Sequence, residues 1–114
     1  MALADALGRT CRVTGLHVDR QSERLIVVNA VTAVLWLATG GTLALLIALT
    51  RWPAVQLITS AEWFYRLVGA HGAAMLIFWI LFFEVAGLVF GGTILLNQPM
   101  TAPRVGWLAY GMML

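Results

Sequence analysis

Two ionisable side chains, His71 and Glu84, stand alone in an otherwise apolar run over residues 67–96. An imidazole inside a membrane-length apolar helix is costly without a partner, so such a residue is a candidate functional site. Gly69, Ala70, Gly72, Ala73 and Ala74 surround His71 with small side chains, leaving room for a large planar group, while Met75, Phe78 and Trp79 offer polarizable and aromatic contacts farther on. A neutral imidazole in that setting can be an axial ligand of haem iron. A histidine hydrogen-bonded to a neighbouring helix accounts for the same residues, and residue types alone leave both readings open. Glu84 lies 13 residues beyond His71, about 20 Å along an ideal helix and about 220° around it, so the two do not share one site. A carboxylate in that position needs a proton or a partner. Proton relay, helix-packing hydrogen bond and water-facing residue are its possible roles.

The remaining polar chemistry is sparse. His17, between Leu16 and Val18, has no ligand-like spacing to another residue and reads as a solvated histidine. Cys11 is the single cysteine, so it forms no internal disulfide, and it stands beside Arg9 and Arg12 as a free thiol. Paired carboxylates at active-site spacing, Cys-x-x-Cys, a glycine-rich phosphate loop and a nucleophile elbow are all missing from the sequence. The seven basic residues are all arginine and are spread along the chain, without the cluster that nucleic-acid binding requires.

The elements that must hold His71 follow from composition. At 61% hydrophobic and 11% charged residues, the chain lacks the polar surface that a water-soluble domain of this size needs. The expected class is all-α: an integral membrane protein with two complete transmembrane helices and a truncated third. Residues 1–24 form a polar cytoplasmic tail. Residues 25–114 form the transmembrane part, with helices over about 25–50 and 67–96 and a partial one over 105–114. Residues 1–8 are too short and too weakly apolar for a secretory signal.

Ser22 is a candidate N-cap for the first helix, with Glu23 in its first turn, and Thr59 or Ser60 a candidate cap for a second helix starting at Ala61. Gly40-Gly41, flanked by Thr39 and Thr42, reads first as a packing notch, with close approach of a flat ligand as its other use. Pro53 closes the first helix, Trp52 suits a headgroup-level belt, and Asn97-Gln98-Pro99 with Pro103-Arg104 forms a polar, proline-broken turn. Ten apolar residues, 105–114, are too few to span, so either this segment lies in the membrane interface or, as is expected here, the natural chain continues. Arg9, Arg12, Arg20 and Arg24 precede the first span, which by the positive-inside rule places the N-terminus in the cytoplasm and His71 near the outer face of a cell-membrane protein.

The run Tyr65-Arg66-Leu67-Val68-Gly69-Ala70-His71-Gly72-Ala73-Ala74-Met75-Leu76-Ile77-Phe78 resembles the start of transmembrane helix two in subunit I of the haem-copper oxidases. There, Thr-Ala-His-Gly-x-x-Met-x-x-Phe surrounds a histidine ligand of the low-spin haem; Gly69 stands here in place of the usual Thr. The order of parts is also similar over residues 25–114: a glycine-containing first helix, a loop with an arginine near its start, the histidine helix, Gly91-Gly92, and Pro103-Arg104 leading into helix three. The specific part is residues 65–78.

The resemblance implies that His71 is the metal ligand, holding low-spin haem iron from one axial side, and that Arg51, at the end of helix one, contacts a haem substituent. It also implies electron transport in aerobic respiration, with cytochrome c or a quinol as donor, the lipid bilayer as surroundings, and the remainder of subunit I or other oxidase subunits as partners. Oxygen reduction in that family needs a second haem and a copper held by three histidines, and this chain has two histidines in all. It is therefore expected to be part of an oxidoreductase rather than a complete one. The family's proton-uptake aspartate before the Pro-Arg turn is replaced by Gln98-Pro99, and the family pattern has no acid at Glu84. Nitric oxide reductases share the helix-two histidine and are the close alternative. A non-catalytic membrane scaffold or assembly protein, and a homodimer holding haem between two copies of His71, are the others.

Overall fold

The structure, a computed structural model, describes residues 8–114, so most of the segment excluded above as a signal lies outside the described residues. Three helices carry most of the fold. Helix α1 spans Arg20–Arg51 and α2 spans Ala61–Leu95; at 32 and 35 residues they are about 48 and 52 Å long. Both are long and apolar enough to cross about 30 Å of hydrocarbon. The third, α3, spans Pro103–Met113, with its proline at the first turn, where a missing N–H costs nothing. Within the chain only 11% of the most apolar window of α1 and 17% of that of α2 is buried, so most of their apolar surface faces something other than this chain.

The expected boundaries shift outward for local reasons. Helix α1 starts at Arg20 because Asp19, and not Ser22, caps it: Asp19 Oδ2 accepts from the Ser22 N–H at 3.1 Å and the Ser22 hydroxyl at 3.0 Å. Helix α2 begins at Ala61, as the cap reading has it, but Ser60 offers only its backbone and makes no side-chain cap bond. Helix α2 contains two π-helical turns, Ala74–Phe78 and Phe90–Leu95, which hydropathy patterning does not register.

The tail also departs from the expected all-α class. It forms a small antiparallel ribbon of β1 (Gly8–Thr10) and β2 (His17–Asp19), with Gly8 opposite Asp19 and Thr10 opposite His17. Gly15 takes φ +70° in its loop, a conformation that glycine adopts without steric cost.

The chain divides into two units. The first contains the ribbon, α1 up to Ala30, and residues 83–114. Its α2 segment ends in a Schellman motif: Asn97 sits at φ 51°, its N–H reaches the Ile94 carbonyl at 3.2 Å, and the Gln98 N–H reaches the Thr93 carbonyl at 3.0 Å. Asn97 Oδ1 accepts from the His17 N–H at 3.0 Å, fastening the ribbon to that helix end. Arg9 pairs with Glu23. A side chain at Gly106 would come within 2.6 Å of Leu25 Cδ2, so α3 packs closely on the start of α1.

The second unit is Val31–Phe82, in which α1 and α2 run antiparallel. Trp36 stacks on Phe78 with centroids 4.5 Å apart, Gly40 meets Ala74 and Met75, and the Arg51 guanidinium lies 5.5 Å from the Phe64 ring centroid. Thr39 and Thr42 turn their hydroxyls back to the carbonyls of Leu35 and Ala38, at 2.8 and 2.9 Å. Both polar groups are thereby satisfied without leaving the helix.

Candidate functional site around His71

His71 sits in the last turn of the regular part of α2 before the π-helical turn at Ala74–Phe78. Single π-turns inside helices are frequent at functional sites. The imidazole is partly buried, and its Nδ1 lies 2.9 Å from the carbonyl oxygen of Gly40 on α1. A carbonyl only accepts, so Nδ1 donates, and in the neutral ring the lone pair is then on Nε2. This is the arrangement in which a histidine offers one nitrogen to a metal while a backbone oxygen orients the ring through the other.

The space around the ring suits a large group. A side chain built at Gly69 or Gly72 would meet nothing within 4 Å, so the helix surface flanking His71 is open on both sides. Gly40 is buried while Gly41 is exposed, so of the glycine pair only Gly40 enters the helix contact. Among the described residues no three of His, Cys, Asp and Glu converge as a metal site. That geometry concerns ions held by side chains alone, not a cofactor that brings most of its own ligands.

The other candidates fall elsewhere. Arg51 is exposed at the end of α1, over Phe64, which is seven residues and so about two turns before His71. Arg51 and His71 therefore belong to the same α1–α2 interface without touching. Glu84 belongs to the first unit and is exposed, and its carboxylate makes no hydrogen bond or ion pair among the described residues. The π-helical turn between residues 71 and 84 also means that the ideal-helix angle expected from their spacing does not apply. His17 lies in the ribbon, exposed. A cavity of about 530 Å³ opens beside the start of α2, lined by Leu57, Trp63, Leu67 and Ala70 with Arg66 at its polar side, where Arg66 pairs with Glu62 at 2.6 Å.

Two polar groups, in different units of the chain, are not marked by residue type. The Gly40 carbonyl is one; every residue has a carbonyl, so nothing in the sequence marks it. Asn29 is the other. It is fully buried, with its Nδ2 donating to the Leu25 carbonyl at 2.8 Å and its Oδ1 unpartnered among the described residues. Its signal was a polar amide within an uncharged run, which a search for charges alone passes over.

Comparison with family models, with curated proteins and with solved structures found no match for this chain.

Proposed function

We propose that the chain is a multi-pass membrane protein of the haem-copper oxidase subunit I type, in which His71 is an axial ligand of a low-spin haem. The observation that carries this reading is the 2.9 Å bond from Nδ1 to the Gly40 carbonyl, which in the neutral ring leaves the lone pair on Nε2; the helix surface at Gly69 and Gly72, on either side of His71 in the sequence, is open. The run of residues 65–78 supplies the family resemblance, and the exposed apolar surface of α1 and α2 supplies the membrane setting.

On this reading the chain's own residues hold and orient. His71 would give the Nε2 lone pair, the glycines keep its approach clear, and Arg51, at the end of α1, would contact a haem substituent. When bound, the haem supplies one-electron exchange between a cytochrome c or quinol donor and a copper-containing oxygen-reducing centre, which the remainder of subunit I would build. Glu84, exposed on α2, is then a proton-carrying or helix-contacting residue toward those further helices, and the N-terminus is cytoplasmic.

The same bond favours a second reading, in which His71 only ties α2 to α1 in a cofactor-free scaffold, since one ring nitrogen is already satisfied. Haem titration of the chain in nanodiscs, alone and with co-expressed oxidase subunits, separates the two. Ligation predicts a Soret band with a low-spin spectrum in the wild type that is lost in His71→Ala. Equal spectra for the two proteins, or no band in either preparation, leave the scaffold.

A further inference from the structure

We propose that Gly40 is the positioning residue for His71: its carbonyl keeps the imidazole proton on Nδ1, and its missing side chain lets the two helices close far enough for that bond to form. The consequence at an iron rests on the haem reading above, whereas the tautomer is a property of the chain without haem.

Three observations converge on this residue. Gly40 is buried, and its carbonyl oxygen lies 2.9 Å from His71 Nδ1. A Cβ at Gly40 would fall 2.5 Å from Met75 Sδ and 2.8 Å from Met75 Cγ, well inside van der Waals contact. The Met75 backbone is held in the π-helical turn, its carbonyl accepting the Trp79 indole N–H at 2.6 Å, so the shift falls on the Met75 side chain and, beyond what that side chain takes up, on the spacing of the helices beside the Trp36–Phe78 stack.

A methyl group at residue 40 would therefore push Met75 and the helix pair apart. A hydrogen bond between rigid backbone and a ring fails once its heavy atoms separate beyond about 3.5 Å, so a displacement of under about 1 Å frees the ring. With the bond gone, the neutral imidazole is free to carry its proton on either nitrogen. A hydrogen bond from the other ring N–H also fixes the orientation of a ligating histidine and strengthens it as a metal ligand. Gly40 thus selects the nitrogen offered to a metal and sets its donor strength.

The test uses the full chain in nanodiscs, without haem, labelled with 15N-histidine and measured at about pH 8.5, where an ordinary imidazole is neutral. His71→Ala assigns the resonances. The wild type is expected to show His71 as a single tautomer protonated on Nδ1. Gly41→Ala should leave that spectrum unchanged, because a side chain there meets nothing within 4 Å. Gly40→Ala should give a tautomer mixture, and Gly40→Ala combined with Met75→Ala should restore the Nδ1–H form by removing the colliding atoms. A wild-type ring protonated on Nε2 overturns the proposal without reference to any variant, and so does an unchanged tautomer in Gly40→Ala. Haem is then added: if it binds, Gly40→Ala should raise the midpoint potential relative to wild type. An Nδ1–H tautomer with no haem spectrum would sink the haem reading and leave the role of Gly40 standing; a haem spectrum with a tautomer indifferent to Gly40→Ala would do the reverse.

Discussion

Among individual residues outside the helices, Cys11 has the most distinctive chemistry. The Thr14 hydroxyl donates to its sulfur, backbone N–H groups of Thr14 and Val13 add to this, and together they hold the thiol at about 7, below its ordinary 9.0, with a small contribution from the charge of Arg9. Donors that favour the thiolate lower a thiol's pKa, and the thiolate is the reactive form. Alkylation of the folded chain by iodoacetamide is therefore expected to rise with pH through a midpoint near 7 and to fall off only below it. Thr14→Val should move that midpoint upward, as should unfolding the chain. A midpoint unchanged by Thr14→Val would refute the assigned cause. Arg66 shows the opposite situation: with Glu62 at 2.6 Å and the Trp63 ring 5.2 Å from its guanidinium, its contacts are solvent-exposed and worth little to stability.

Among the elements, helix ends do more than hydropathy suggests. Asp19 turns the end of the ribbon into the cap of α1, so two elements share one residue. Asn97 does the same at the other end of the first unit, closing α2 in the left-handed conformation while accepting from His17. Replacing it by Ala leaves a β-carbon in that conformation without the short polar side chain that helps Asn adopt it, and removes a hydrogen bond worth about 1 kcal/mol. Asn97→Gly removes the same bond but also the β-carbon, so the left-handed turn loses its steric cost. Reversible unfolding in mixed micelles should thus show Asn97→Ala less stable than wild type by about 1–2 kcal/mol and Asn97→Gly closer to wild type than Asn97→Ala. Equal losses would mean that the left-handed turn costs nothing here.

At the scale of the whole molecule, the proposed orientation rests on four arginines before the first apolar run. Cys11, the single cysteine, makes this testable without engineering, because it lies in that same segment and is partly exposed. A membrane-impermeant maleimide should label the chain in inverted vesicles and spare it in right-side-out spheroplasts. Labelling in intact spheroplasts would invert the topology and place His71 toward the cytoplasm, away from an outer-side electron donor.

What the sequence determined by itself was whatever sums along the chain. Apolar transfer free energy adds residue by residue, so two membrane-length runs were legible over about 25–50 and 67–96, and the structure has one long helix over each. The isolation of His71 was legible for the same reason. Helix caps were partly legible: the Ala61 start was, but Asp19 displaced Ser22 because the chain reaches α1 through a ribbon whose pairing joins residues about ten apart. Only the tertiary structure decided which glycine of the pair enters the helix contact, since one residue of offset rotates a helix position by about 100°. It alone found the acceptor for His71, because the Gly40 carbonyl is a backbone group, chemically the same at every residue, and the fold brings it across 31 positions of chain.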